Sequence, residues 1–347
     1  VSAHRSWIAL SIIPFASARA LAQSDGSARA AGTAIVSNMN DNTATVIDLA
    51  TQRVLATLPT GEGPHEVAAS HDGHWAVVSN YGVRGRAGHT LTLIELDHLR
   101  VARTIDLSPH ERPHGMGFLP GDSLLAVTSE VSQAVLLVDV ARGVVRAALP
   151  THGRVSHMLA LPSQNATTAF TSNIADGSIT RLDLSRGAAS RTTAVAKLVE
   201  GIAATPDGRT VWVASNGEHI VVVLDASGGP PVDTLTGFGL PYRIAISPDA
   251  ATAVITDPER GVVRVLDART RAQRYVVSVP RDSILATAEV SGSPSPEGVA
   301  ISSDSRWAFI TLQGRNRLMT VDLASGAILG YVPTGTWSDG IAYTSRV

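Results

Sequence analysis

The chain has 347 residues and a formal net charge of −2, with 28 lysines and arginines against 30 aspartates and glutamates. That balance excludes bulk electrostatic attraction to nucleic acid or anionic lipid, and an aromatic content of 4% leaves too few rings for single-strand stacking platforms. Cysteine is absent, which excludes disulfides, thiolate-bound metal and C-x-x-C-H haem attachment.

The N-terminal segment reads as a targeting signal. His4 and Arg5 precede an apolar run from Trp7 to Phe15, followed by Ala20-Leu21-Ala22 ahead of Gln23. A positive region, a short apolar region and an A-x-A site define a signal peptide over 1–22, and 23–31 form a polar leader. Pro14 and the shortness of the run argue against a spanning helix, and no other segment is apolar for long enough to cross a membrane. A periplasmic or secreted protein is expected.

From residue 32 onward one pattern recurs. Its clearest copy is Pro64-His65-Glu66-Val67-Ala68-Ala69, a polar turn through His71-Asp72-Gly73, the apolar run Trp75 to Val78, and Ser79-Asn80. Copies begin at Pro64, Pro113, Val155, Val199, Pro241, Pro296 and Ser338. Intervals of roughly 42 to 55 residues filled by short alternating strands mean radial repetition of four-stranded blades.

The interval from Val199 to Pro241 shows the division within a blade. Ile202-Ala203-Ala204 is a first strand, Pro206-Asp207-Gly208 a turn, Val211 to Ala214 a second strand, and Ile220 to Leu224 a third closed by Asp225. A fourth follows near Val232 to Leu235. Val, Ile, Thr and Trp fill the strands while Gly, Pro, Asp and Asn break them. Trp75, Trp212 and Trp307 fall on equivalent second strands and are expected in the core between blades.

The two ends of the chain make one blade. The last copy, Asp339 to Tyr343, supplies only a first strand. The segments Ala34 to Asn38, Ala44 to Asp48 and on to Leu58 lack one. Sharing closes the ring without an open edge. The expected fold is an all-β, seven-bladed β-propeller over 32–347, closed by a composite N- and C-terminal blade.

The chain resembles the YVTN-repeat, or YncE-like, seven-bladed propellers. The resemblance is carried by Ser37-Asn38, Ser79-Asn80, Ser172-Asn173 and Ser215-Asn216 at strand ends. It is carried too by the turn Pro206-Asp207-Gly208 and by the endings Val46-Ile47-Asp48-Leu49 and Val321-Asp322-Leu323. It implies the fold but leaves function open, since that family includes surface-layer, DNA-binding and uncharacterised secreted proteins. Similar propellers serve as lactonases and copper-dependent oxidoreductases.

Strand polarity locates a site. The start of each first strand and the end of each second lie on one face, around the central channel. Reading the position before each first strand gives His65, His114, Ser156, Glu200, Tyr242, Glu297 and Asp339. The next position gives Glu66, Gly115, His157, Gly201, Arg243, Gly298 and Gly340. Second-strand ends add Asn38, Asn80, Glu130, Asn173, Asn216, Asp257 and Gln313. Such asparagines also serve turn backbone directly, whereas turn chemistry does not ask for His or Glu.

His65, Glu66, His114, His157, Glu200, Arg243, Glu297 and Asp339 are therefore the candidate ligand-binding residues, expected as solvated groups in a wet funnel. His65, His114 and His157 suit copper or zinc, with Glu66 orienting an imidazole. The offset of His157 by one residue counts against a shared site. Two longer connections on this face, 81–90 with Arg84, Arg86 and His89, and 278–296 with Ser283, Thr287 and Glu289, are candidate recognition loops.

The leading functional expectation is a non-catalytic monomer that binds a small molecule or a protein partner at the channel mouth. Nucleic acid is not expected as a partner, and no Gly-rich phosphate loop points to a nucleotide. The alternatives are a metal-dependent oxidoreductase or hydrolase using the histidines, and a metal-free lactone hydrolase. The latter rests on the likeness of Asn80-Tyr81-Gly82 to lactonase propellers.

Overall fold

The computed structural model describes residues 30–280 and 292–346. The expected signal peptide, and Ser283, Thr287 and Glu289, lie outside the described residues. Among the described residues, twenty-eight strands, β1 to β28 in chain order, form seven four-stranded antiparallel sheets. The innermost strands are β4 (Pro64–Ala69), β8 (Pro113–Phe118), β12 (Ser156–Ala160), β16 (Val199–Ala204), β20 (Ile244–Ile246), β24 (Pro296–Ile301) and β28 (Ser338–Thr344). Each of these touches the next, and β28 touches β4, so the ring is closed.

Closure is made by the composite blade. β1 (Thr33–Asn38) pairs on one side with β2 (Thr43–Asp48) and on the other with β28, in the register Thr33↔Thr344, Ile35↔Ala342 and Val36↔Ile341. The terminal strand thus covers an inner edge that would otherwise present unpaired backbone groups.

Burial follows strand order within each blade. Second strands such as β13 (Thr168–Asn173) and β25 (Trp307–Leu312) are buried at every position, because neighbouring blades cover both faces. Fourth strands such as β3 (Arg53–Pro59) and β11 (Val144–Pro150) are largely exposed and carry charged residues. Apolar clusters bridge blades. Trp212 packs with Ile244, Ala253 and Ile255, and Trp307 with Ala34, Phe309 and Ile341. Trp75 is only partly buried, against the cluster containing Val77, Phe118 and Val127.

The expected loop at 81–90 is instead a hairpin. β5 (Trp75–Val83) and β6 (Arg86–Glu95) run on past their blade, with a register shift between Asn80 and Gly82. Arg86 pairs with Glu62, and Arg84 at the tip is exposed.

Three repeated devices hold the innermost strands in place. First, the residue before the strand is left-handed in six blades: Gly63, Arg112, Val155, Leu198, Ser295 and Trp337 have φ between 48° and 63°. Second, the penultimate Ser or Thr of one blade's second strand donates to a carbonyl of the next blade. Ser37 bonds the carbonyl of His65, Thr128 that of His157 (2.6 Å), Ser172 that of Glu200 (2.8 Å), Thr256 that of Glu297 (2.8 Å) and Thr311 that of Asp339 (2.7 Å). Third, a glycine two residues into the strand permits close approach. A Cβ on Gly201 would lie 2.1 Å from the carbonyl oxygen of Tyr242, and one on Gly298 2.3 Å from that of Asp339.

Candidate functional site

The strand register corrects the alignment of the third blade. Pro64 pairs with Asn80, Pro113 with Ser129, and Ser156 with Asn173. Ser156 therefore corresponds to Pro64, and His157 to His65. The offset read from sequence arose from starting that repeat at Val155, which is the left-handed residue before the strand. The ring position is His65, His114, His157, Glu200, Tyr242, Glu297 and Asp339, one side chain from each of seven consecutive blades. Glu66 and Arg243 occupy the following position.

These side chains meet. The His65 and His114 rings lie 4.9 Å apart between centroids, and those of His114 and His157 3.7 Å apart. His157 is held from both sides: Nδ1 is 2.5 Å from Glu130 Oε1, and Nε2 is 2.7 Å from Glu200 Oε1. Arg243 donates to the same Glu200 oxygen at 2.6 Å and to Glu66 Oε1 at 2.8 Å, while stacking on Tyr242. His65 Nδ1 lies 2.7 Å from Asp339 Oδ2, an ion-pair distance without hydrogen-bond alignment. Ser295 donates to Glu297 at 2.9 Å. With its amide oriented to satisfy both ends, Gln313 also donates to Glu297 (3.1 Å) and accepts from Trp337 Nε1 (3.0 Å).

The expectation of solvated funnel groups fails. His114 and Asp339 are 1% exposed, and Glu66, His157, Glu200, Arg243 and Glu297 are also buried. Glu66, Glu130, His157, Glu200 and Arg243 satisfy one another, as buried charges require partners, whereas His114 Nδ1 and both Asp339 carboxylate oxygens have no hydrogen-bond partner among the described residues. His65 keeps 17% of its side chain exposed and stands at the mouth.

Electrostatics sort the groups into distinct protonation states. Burial disfavours the charge on His157, but the carboxylates of Glu200 and Glu130 outweigh it and raise the imidazole to about 9. Burial likewise opposes ionised Glu200, yet His157 and Arg243 bring it down to about 2. His114 lies well below its ordinary value because it is buried and faces the charges of His157, His65 and Arg243. Glu297 is pushed up to about 8, by burial first and then by Asp339.

All eight residues proposed from sequence fall in this network. The sequence places Glu130, Tyr242 and, in Asn80-Tyr81-Gly82, Tyr81 on this face without assigning them to the binding set, and it does not single out Arg112. Tyr81 OH donates to Glu130 Oε2 at 2.6 Å, its ring abuts those of His65 and His114, and Arg112 lies over its other surface. The signal for Tyr81 was its place just after a second-strand end. Of the repeated asparagines, Asn38, Asn80 and Asn173 are structural. Asn38 and Asn80 each accept from a glycine amide and donate to two threonines. One donor atom each from His114, Glu130 and His157 lie within 4.8 Å of one another. His65, from the metal set read in sequence, is outside that group and faces Asp339.

Fold and ring together define a seven-bladed β-propeller whose channel is closed by a charged side-chain network. Residues 123–341, well over half of the chain, match the profile of the choice-of-anchor I domain, and the chain belongs to that family. Membership points to a cell-surface or extracellular protein. No curated protein matches the chain. Among solved structures, it resembles the Kuenenia stuttgartiensis hydrazine synthase with a TM-score of 0.70 at 16% identity, over 84% of this chain and 92% of that one. It also resembles a functionally unknown protein from Desulfotomaculum acetoxidans DSM 771, with a TM-score of 0.74 at 14% identity, over 91% and 100% of the two chains. At these identities the likeness concerns the fold.

Proposed function

We propose that the protein is an exported, non-catalytic binding propeller that takes a small polar ligand bearing a cationic group at the channel mouth. The observation that carries this reading is Asp339. It is 1% exposed, and neither carboxylate oxygen has a hydrogen-bond partner among the described residues. Buried carboxylate oxygens are ordinarily satisfied, so a donor supplied from outside fits there. Glu297 and partly exposed His65 stand beside it. Five carboxyl groups, of Glu66, Glu130, Glu200, Glu297 and Asp339, outnumber the cations Arg112, Arg243 and His157, which favours a cation over an anion.

The N-terminal signal and the family support a periplasmic or secreted location. The Ser-Asn strand ends and Pro-Asp-Gly turn support kinship with the YVTN-repeat propellers. A monomer with no nucleic-acid partner remains the working picture.

The test is calorimetric titration of the full chain with guanidinium and putrescine as probes, alongside acetate. Saturable binding of a cationic probe that is lost in Asp339→Asn, with acetate inert, supports the reading. Equal responses of wild type and Asp339→Asn to every probe would sink it.

A further inference from the structure

We propose that His114, Glu130 and His157 form a site for a divalent transition-metal ion of the zinc or copper class. This rests on the reading of the channel as a binding site and assigns a second, inorganic ligand to its other side. The three residues each bring one donor atom into a group spanning no more than 4.8 Å. Both histidines are buried, and the Glu130 side chain is only 9% exposed.

An ionic network alone leaves part of this arrangement unexplained. His114 Nδ1 is buried without a hydrogen-bond partner among the described residues, although its residue is 1% exposed. An unsatisfied buried nitrogen carries a desolvation cost, which a metal bond to that atom would remove.

The surrounding groups already stand where outer partners of a metal site belong. Glu200 holds one nitrogen of His157 at 2.7 Å, fixing the ring while the other nitrogen faces Glu130 at 2.5 Å. Tyr81 OH holds the second oxygen of Glu130 at 2.6 Å. A carboxylate behind a ligating imidazole and a donor behind a ligating carboxylate are the usual means of orienting both.

The ion takes the place of the proton shared by His157 Nδ1 and Glu130 Oε1. That proton leaves as the two metal bonds form, and no redox partner is required. Metal bonds of about 2.0–2.2 Å set donors roughly 3–3.5 Å apart, so this contact opens by about 1 Å or less. Two imidazoles and one carboxylate suit zinc or copper(II) rather than magnesium or calcium, which prefer all-oxygen shells.

The test is equilibrium dialysis and calorimetry of the chelator-stripped full chain with zinc chloride, copper sulfate and magnesium chloride. The expected result is one tightly bound zinc or copper and no magnesium. Affinity should fall at least about 100-fold in His114→Ala and Glu130→Gln, and about 10-fold in Tyr81→Phe. Electron paramagnetic resonance of the wild type loaded with one copper(II) should show imidazole nitrogen coupling, a readout that needs no variant to fold. Absence of stoichiometric binding, binding undiminished in folded His114→Ala and Glu130→Gln, or a copper signal without imidazole nitrogen would overturn the proposal. Cation binding through Asp339 is measured separately with metal-free protein, so either reading can fail while the other stands.

Discussion

The imidazoles of His114 and His157 lie 3.7 Å apart, centroid to centroid, and differ in charge at neutral pH. Both are buried, both begin an innermost strand, and their ring positions are equivalent. What separates them is the company each keeps. His157 lies between two carboxylates, which holds its proton. His114 is desolvated and faces that charged neighbour, which keeps it neutral.

Glu200 should therefore be a keystone of the plug. It accepts from both His157 and Arg243, and Glu200→Gln removes the charge that compensates two buried cations. The expected loss is about 3–5 kcal/mol, the range for breaking a buried ion pair from one side. Urea denaturation checks the loss, and NMR titration of His157 should show its pKa falling from about 9. A stability change below about 1 kcal/mol would mean the network is solvated after all.

Glu297 sets a pH dependence of stability. Its folded value, about 8, exceeds its ordinary value of 4.5, so the folded state holds a proton that the unfolded chain releases. The stabilisation is fully present below about 4.5 and is lost as pH rises through about 8. Within that window the slope from this group approaches about 1.4 kcal/mol per pH unit. His157 loses its contribution between about 6.5 and 9, buried neutral His114 costs stability as pH falls below about 6.5, and Glu200 acts only between about 4.5 and 2, so the difference between wild type and Glu297→Gln is what isolates Glu297. Denaturation curves of metal-free protein should show the stability of wild type relative to Glu297→Gln falling from pH 5 to 8.

The closing strand should be indispensable to cooperative folding. Truncation after Thr336 deletes β28, bares the inner edge of β1 and removes Asp339 together with its contact to His65. The truncated chain should lose the single sharp transition of the closed ring or fail to fold. Matching thermal transitions for truncated and full chains would refute the role assigned to this strand.

The blades were legible in sequence because their signals are local. A turn such as Pro206-Asp207-Gly208 and the apolar second strand after it fall within a dozen residues, and each repeat restates them. The ring residues were legible by type, since nothing in turn chemistry calls for His or Glu at a strand start. Their register was harder. Left-handed Val155, φ 58°, does the work of Gly63 without being a glycine, so the repeat seemed to begin one residue early. The network itself was hidden, because Arg243 and Glu66 stand 177 residues apart and only ring closure joins them. The burial of the ring was missed for the same reason: seven inward side chains that interlock fill the channel that each alone would leave wet.

The glycine of the innermost strand gives a direct test of that interlock. Gly201 follows Glu200, and its missing side chain is what lets the next blade's backbone approach. An alanine Cβ there would stand 2.1 Å from the Tyr242 carbonyl oxygen and 3.2 Å from the Arg243 Cα. Neither neighbour is the free end of a flexible side chain, so the clash can be relieved only by moving the backbone of Tyr242 and Arg243, just ahead of β20. Overpacking of this kind costs about 1–3 kcal/mol. Gly201→Ala should lie at the upper end, because the displaced segment also carries the guanidinium that bridges Glu200 and Glu66. Two measurements separate this from a generic loss of stability. Chemical denaturation should show the drop, and NMR should show His157 titrating below its wild-type value, as the arrangement around Glu200 loosens. An alanine variant as stable as the wild type would mean that neighbouring innermost strands are not held in this close contact.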